Sequence, residues 1–177
     1  MSNLRAGAVY GAARVPPTTA RTWALELGES RPGGHPRYDI TDVVMLIMMQ
    51  RLTVDRSMAA APAAIIVNAL RPYLPDMIAK IDREWAEHKE LRPGGPYAVI
   101  HGQPSQQDPI HWMAMVFADE VIKLQDDQFG MVPLILRLRP IIALSIHRLE
   151  RVLSGEVEEW NDAAGDTLAS LSRRALD

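Results

Sequence analysis

The chain contains no cysteine among its 177 residues. That excludes disulfides, thiolate catalysis and cysteine-based metal sensing together. Long apolar runs are missing as well. The longest, Val43 to Met49, is too short to span a bilayer, and the N-terminus has no apolar signal-like core. These absences make a cytoplasmic protein with no membrane partner the expectation. The five histidines, at positions 35, 88, 101, 111 and 147, show no close metal-ligand spacing. No nucleophile elbow, phosphate-cradling glycine loop or paired-histidine helix is present, so neither an enzyme, a metal site nor a cofactor is expected. Basic charge is not in excess either: the formal net charge is −3, against a general nucleic-acid coat protein.

Apolar residues make up 47% of the chain, enough for a real core. Charge is unevenly placed. Residues 1–57 hold seven arginines against five acids, whereas the remainder holds twelve basic residues against seventeen acidic ones. A mildly basic N-terminal part with an acidic remainder fits a local nucleic-acid contact surface.

The informative stretch runs from Leu4 to Asp42. Ala8, Val9, Ala12 and Ala13 share one side of a short helix over Ala6–Ala13. Arg14-Val15-Pro16 makes a turn, and Pro17 suits the first turn of a second helix. From Thr18 to Leu27 the residues Ala20, Trp23, Ala24 and Leu27 form an apolar face at i, i+3, i+4, i+7. Thr18, Arg21 and Thr22 lie opposite with Thr19 at the flank, and Gly28 is expected to stop the helix. β-Branched threonines are poor choices for an exposed helix face, which favours a contact role for them. A Pro/Gly loop follows, carrying Arg31 and His35 and leading into Arg37-Tyr38. Asp39 suits the N-cap of a helix over Thr41 to about Leu52. That helix is apolar nearly all round and must be covered on more than one side.

Helix, turn, helix and basic wing in this order resemble the winged helix-turn-helix of MerR-type regulators. The resemblance is carried by Gly7 to Ala13, Val15-Pro16, Thr19-Ala20-Arg21-Thr22-Trp23, Arg37-Tyr38-Asp39 and Asp42-Val43, and covers roughly residues 4–70. Arg21 and Trp23 match the family's recognition-helix Arg and aromatic residue; Arg37 and Tyr38 match its wing. The resemblance implies a sequence-specific regulator that binds double-stranded DNA. The candidate contact set is Arg14, Thr18, Thr19, Arg21, Thr22, Arg31, His35, Arg37 and Tyr38, because hydroxyls and guanidinium groups bond phosphates and base edges. The chain departs from the family pattern in having Arg14 where Gly usually precedes Val. Pro72 and Pro75 also break any long coiled-coil helix.

Beyond the N-terminal part the signals are coarser. Helices are expected over Ser57–Leu70 and Asp76–Glu90, and Arg92 to Pro96 reads as a linker. Tyr97–His101 and Met131–Leu138 read as strands, the second at an edge because of Pro133. Ile110–Leu124 suits a helix or a buried strand equally. The helix Pro140–Leu153 carries the stripe Ile142, Ile146, Leu149, Leu153, read as a dimer interface. The expected architecture is mainly α with a small α+β part. It comprises a winged helix-turn-helix (1–70), a helical connector (71–92), a small α/β domain for self-association or sensing (93–154) and a tail (155–177). The expected partners are duplex DNA and a second copy in a homodimer, with room for an unidentified small-molecule or protein effector. The expected location is the nucleoid. The alternatives are a DNA-architectural or recombination-directionality protein built on the same module, and a protein–protein adaptor that has lost DNA binding.

Overall fold

Ten consecutive residues of one helix, Ile40 to Met49, are buried, and the rest of the fold is arranged around them. The computed structural model describes residues 2–29, 35–88, 95–105, 112–116 and 134–157. They form a mainly helical protein with two small antiparallel sheets. The order begins β1 (Ser2–Leu4), α1 (Ala6–Ala13), α2 (Pro17–Arg21), β2 (Tyr38–Asp39) and α3 (Ile40–Gln50). A π-helical turn (Arg51–Asp55), α4 (Ala60–Leu70), a 3-10 turn (Arg71–Tyr73) and α5 (Leu74–His88) follow. Then come β3 (Tyr97–Ile100), β4 (Met113–Val116), β5 (Leu134–Arg137) and α6 (Leu138–Leu153).

The start of α3 is written in its sequence. The Asp39 carboxylate accepts the backbone N–H groups of Thr41 and Asp42, while Asp42 reaches back to the Asp39 N–H at 2.8 Å. Three backbone donors at the start of the helix are thus satisfied in a reciprocal cap. An all-apolar helix needs several covers, and α3 has them: α1, α4, α5 and α6 all pack against it. Gly7, Gly11 and the alanines of α1 present almost no bulk, which lets α6 lie close along it.

The smaller sheet pairs β1 with β2, Ser2 opposite Asp39 and Leu4 opposite Tyr38. This strand has no signal in the Leu4–Asp42 reading, because three residues are too few for a period-2 pattern to show. The larger sheet has the order β4-β3-β5, with Tyr97 opposite both Val116 and Arg137. Among the described residues β5 is therefore an edge strand, as read; within Ile110–Leu124 the segment Met113–Val116 is strand.

Two expectations need correction. The boundary expected at 92–96 does not divide the buried core of the described residues. One core cluster runs from Ala8 through α3 and α5 to Val152. Arg139 of α6 adds to this closure by pairing with Glu84 of α5 and donating to the Gly95 carbonyl at 3.3 Å. Nor is the α6 stripe a dimer interface. Ile142 and Leu149 are 0% exposed and Ile146 is 3% exposed within a single chain, so the surface meant for a second copy is already covered. Only Leu153, 52% exposed, faces outward. An i, i+4 apolar stripe says that a helix is covered on that side, and leaves open by what. Of the expected tail 155–177 the part from 158 onward, and of the linker 92–96 residues 92–94, lie outside the described residues.

Candidate nucleic-acid interface

Helix α2 is shorter than its periodicity suggests. It ends at Arg21, not Leu27; residues 22–24 form a turn and Ala24 takes a left-handed φ of 52°. Three threonines within five positions lower helix propensity, and Asn68 and Arg71 hold the turn that replaces the helix. The anchor of α2 consists of Ala20, 4% exposed, and Trp23, 8% exposed. Burying a side chain of this size contributes about 1.5–3 kcal/mol. The result is a short helix pinned by one face and bare on the other.

Arg14, Thr18, Thr19, Arg21 and Thr22 are all exposed. Arg14 occupies the left-handed C-cap of α1 at φ 56°, where its N–H bonds back to the Gly11 carbonyl at 3.1 Å. The Thr22 hydroxyl donates to the Thr19 carbonyl at 2.7 Å and keeps its oxygen available as an acceptor. The hydroxyls of Thr18 and Thr19 and the Arg21 guanidinium have no hydrogen-bond partner or ion pair among the described residues. Hydroxyls and a guanidinium held in this way can donate to phosphate oxygens or base edges.

A second strip lies beside the first. Glu29 and Arg37 form an antiparallel bridge, with the Glu29 N–H donating to the Arg37 carbonyl at 2.8 Å. His35 and Arg37 are exposed and Tyr38 is half-buried. Arg31 lies outside the described residues. The Tyr38 ring meets Tyr10 of α1 edge to face, centroids 6.2 Å apart at 61°. Burial pushes the Tyr10 hydroxyl up to about 12, helped by its hydrogen bond to Tyr38 and opposed by the nearby Arg21 charge. Tyr10 therefore stays protonated far above neutral pH.

The segment between the two strips is held from below by residues that the N-terminal pattern does not reveal. Asn68 of α4 accepts the Glu26 N–H at 3.1 Å and donates to the Ala24 carbonyl at 3.2 Å, bracketing the left-handed turn. Arg71 donates to the Glu26 carbonyl, and its guanidinium lies 3.4 Å from the Asp42 carboxylate. Asp42, 1% exposed, also accepts the Gly28 N–H at 2.9 Å. Burial raises the pKa of this carboxyl, and the two backbone donors and Arg71 pull the other way. Gly28 has a φ of 67°, and a Cβ there would sit 3.2 Å from the Tyr38 ring and from the Arg37 carbonyl. So Gly28 is a turn residue beneath the second strip, not the stop of a long α2. A lone Asn within the apolar run of α4 was the available sign of this bracket.

Of the candidate set, the structure brings Thr18, Thr19, Arg21 and Thr22 together on α2 and its turn. It joins Arg37 and Tyr38 to them through Tyr10, which lies within the electrostatic reach of Arg21. No group of three or more metal-ligating side chains occurs among the described residues, and no helix there is long and apolar enough to cross a membrane. No protein-family model matches the chain, and no curated protein matches it in sequence.

Proposed function

We propose that this chain is a sequence-specific duplex-DNA-binding transcriptional regulator of the MerR-like kind. The observation that carries the reading is the bare polar face of α2. Thr18, Thr19 and Arg21 are exposed, with no hydrogen bond or ion pair among the described residues, on a helix anchored by buried Ala20 and by Trp23 of the turn that follows. A folded chain gains nothing from holding a helix of poor propensity in this way unless the face meets a partner. Thr18, Thr19, Arg21 and Thr22 enter the major groove or clamp its phosphates, while Arg37 and Tyr38 hold the flanking backbone. The nucleoid is the matching location. Pairing of two copies on a pseudo-palindromic site uses a surface other than the buried stripe of α6.

Arg21→Ala tests the reading by fluorescence anisotropy on duplexes selected from a random pool. Binding should weaken across sequences, and the slope of log affinity against log salt should fall by about 0.9, as loss of one phosphate contact requires. Unaltered affinity and slope would remove Arg21 from the interface. An absence of salt-dependent binding to any duplex would favour a protein–protein adaptor.

A further inference from the structure

A second concentration of arginine lies at the other end of α3, away from the Asp39 cap. The π-helical turn Arg51–Asp55, Arg56 and the junction of β5 with α6 line an open cavity of about 510 Å³. Arg51, Arg56 and Arg137, all exposed, line it together with Asp55. Leu136 and Ile141 supply apolar lining between the charges. The volume lies within the range of pockets that hold small organic ligands. Asp55 offsets part of the positive charge through its 2.9 Å contact with Arg51, but both groups are about half exposed, so this ion pair is weak and open to competition.

Further observations converge on an anion. Arg137, the N-cap residue of the sixteen-residue α6, makes no side-chain cap and lines the cavity, while the Leu138 N–H behind it is taken by the Pro96 carbonyl at 3.3 Å. Arg148, one of the half-buried residues of α6, has its charge disfavoured first by burial and then by Arg14 and Arg51, the last of which lines the cavity. Like charges gathered in this way are relieved by a bound anion. The backbone is also irregular here: a π-helical turn is followed by Ser57 at φ 53°, and such turns gather at functional sites.

We infer that the cavity between the π-helical turn and the start of α6 binds a small phosphorylated molecule with an apolar body. Arg51, Arg56 and Arg137 grip the phosphate, and Leu136 and Ile141 contact the remainder. A concave site with apolar lining suits a small ligand better than a duplex backbone, which presents a convex row of phosphates and no apolar group. The site shares no residue with α2 or the Arg37 strip. It therefore stands if duplex binding fails, and duplex binding stands if it fails.

Isothermal calorimetry on the full chain tests it with three probes: phenyl phosphate, inorganic phosphate and phenol. Saturable binding of phenyl phosphate is expected, with inorganic phosphate several-fold weaker and phenol without effect. Arg137→Gln combined with Arg56→Gln should lower phenyl phosphate affinity tenfold or more, whereas Arg21→Ala should leave it unchanged. In NMR the side-chain Nε–H signals of Arg51, Arg56 and Arg137 should move on titration in the unaltered protein, and that of Arg71 should not. No saturable binding at millimolar phenyl phosphate overturns the inference. So does equal binding by the double variant, or a loss of duplex affinity in that variant without any phenyl phosphate binding.

Discussion

The buried Asp42 carboxylate accepts the Gly28 N–H at 2.9 Å, across fourteen residues of chain. One side chain thus caps α3, fixes the turn below the Arg37 strip and meets Arg71 from the next helical segment. Its oxygens are acceptors for every donor around it.

Asp42→Asn should therefore destabilise the protein, because the amide offers one acceptor in place of two and turns a donor toward donors. The expected cost is about 1–3 kcal/mol, read from urea unfolding at neutral pH. The pH dependence has a definite sign. The pKa of Asp42 is raised from 3.8 in the folded chain, so its stabilisation is complete below 3.8 and declines as pH rises through the raised value. The unfolding free energy of the unaltered protein minus that of the variant should fall with rising pH from 3.8 upward. A difference that rises over this window would contradict the assignment.

Gly28→Ala tests the turn itself. The backbone there is left-handed, and the added Cβ would press on the Tyr38 ring and the Arg37 carbonyl. A loss of at least about 1 kcal/mol in thermal or urea unfolding is expected. Duplex affinity should fall as well, since Arg37 and Tyr38 would move. A variant as stable as the parent would show that this turn is not held as described.

Tyr10 links α1 to the Arg37 strip. Tyr10→Phe should remove one phenol from the ultraviolet titration, and the lost step should be the one near pH 12. With the folded pKa above the ordinary value of 10, its contribution to stability is present below pH 10 and is lost as pH rises through about 12. Duplex affinity should drop only a few-fold, through a looser contact between the ring at position 10 and the Tyr38 ring. Loss of a step at ordinary tyrosine pH instead would argue against the contact.

The stripe of α6 separates cleanly by exposure. Ile146→Asp puts a charge into the core and should abolish cooperative folding, whereas Leu153→Asp should change stability by no more than about 0.5 kcal/mol. Circular dichroism melts distinguish the two. A folded Ile146→Asp protein that merely changes its sedimentation would restore the idea of an interface between copies.

Local chemistry was legible from the residues alone wherever a short-range rule decides the outcome. Pro17 opens α2, Asp39 caps α3, and Val43 to Met49 had to be enclosed, since these depend on a proline ring, a carboxylate and apolar bulk within one or two turns. The exposed set Thr18, Thr19, Arg21 and Thr22 was readable for the same reason, from the spacing of its buried partners Ala20 and Trp23. Tertiary structure alone decided what covers each apolar face. It ended α2 at Arg21, since Asn68 and Arg71, more than forty positions away, hold the turn that follows. It turned the α6 stripe inward onto α1 and α3, and it gathered Arg51, Arg56 and Arg137 around one cavity. Periodicity records that a side chain is buried; only the folded chain supplies the identity of the neighbour.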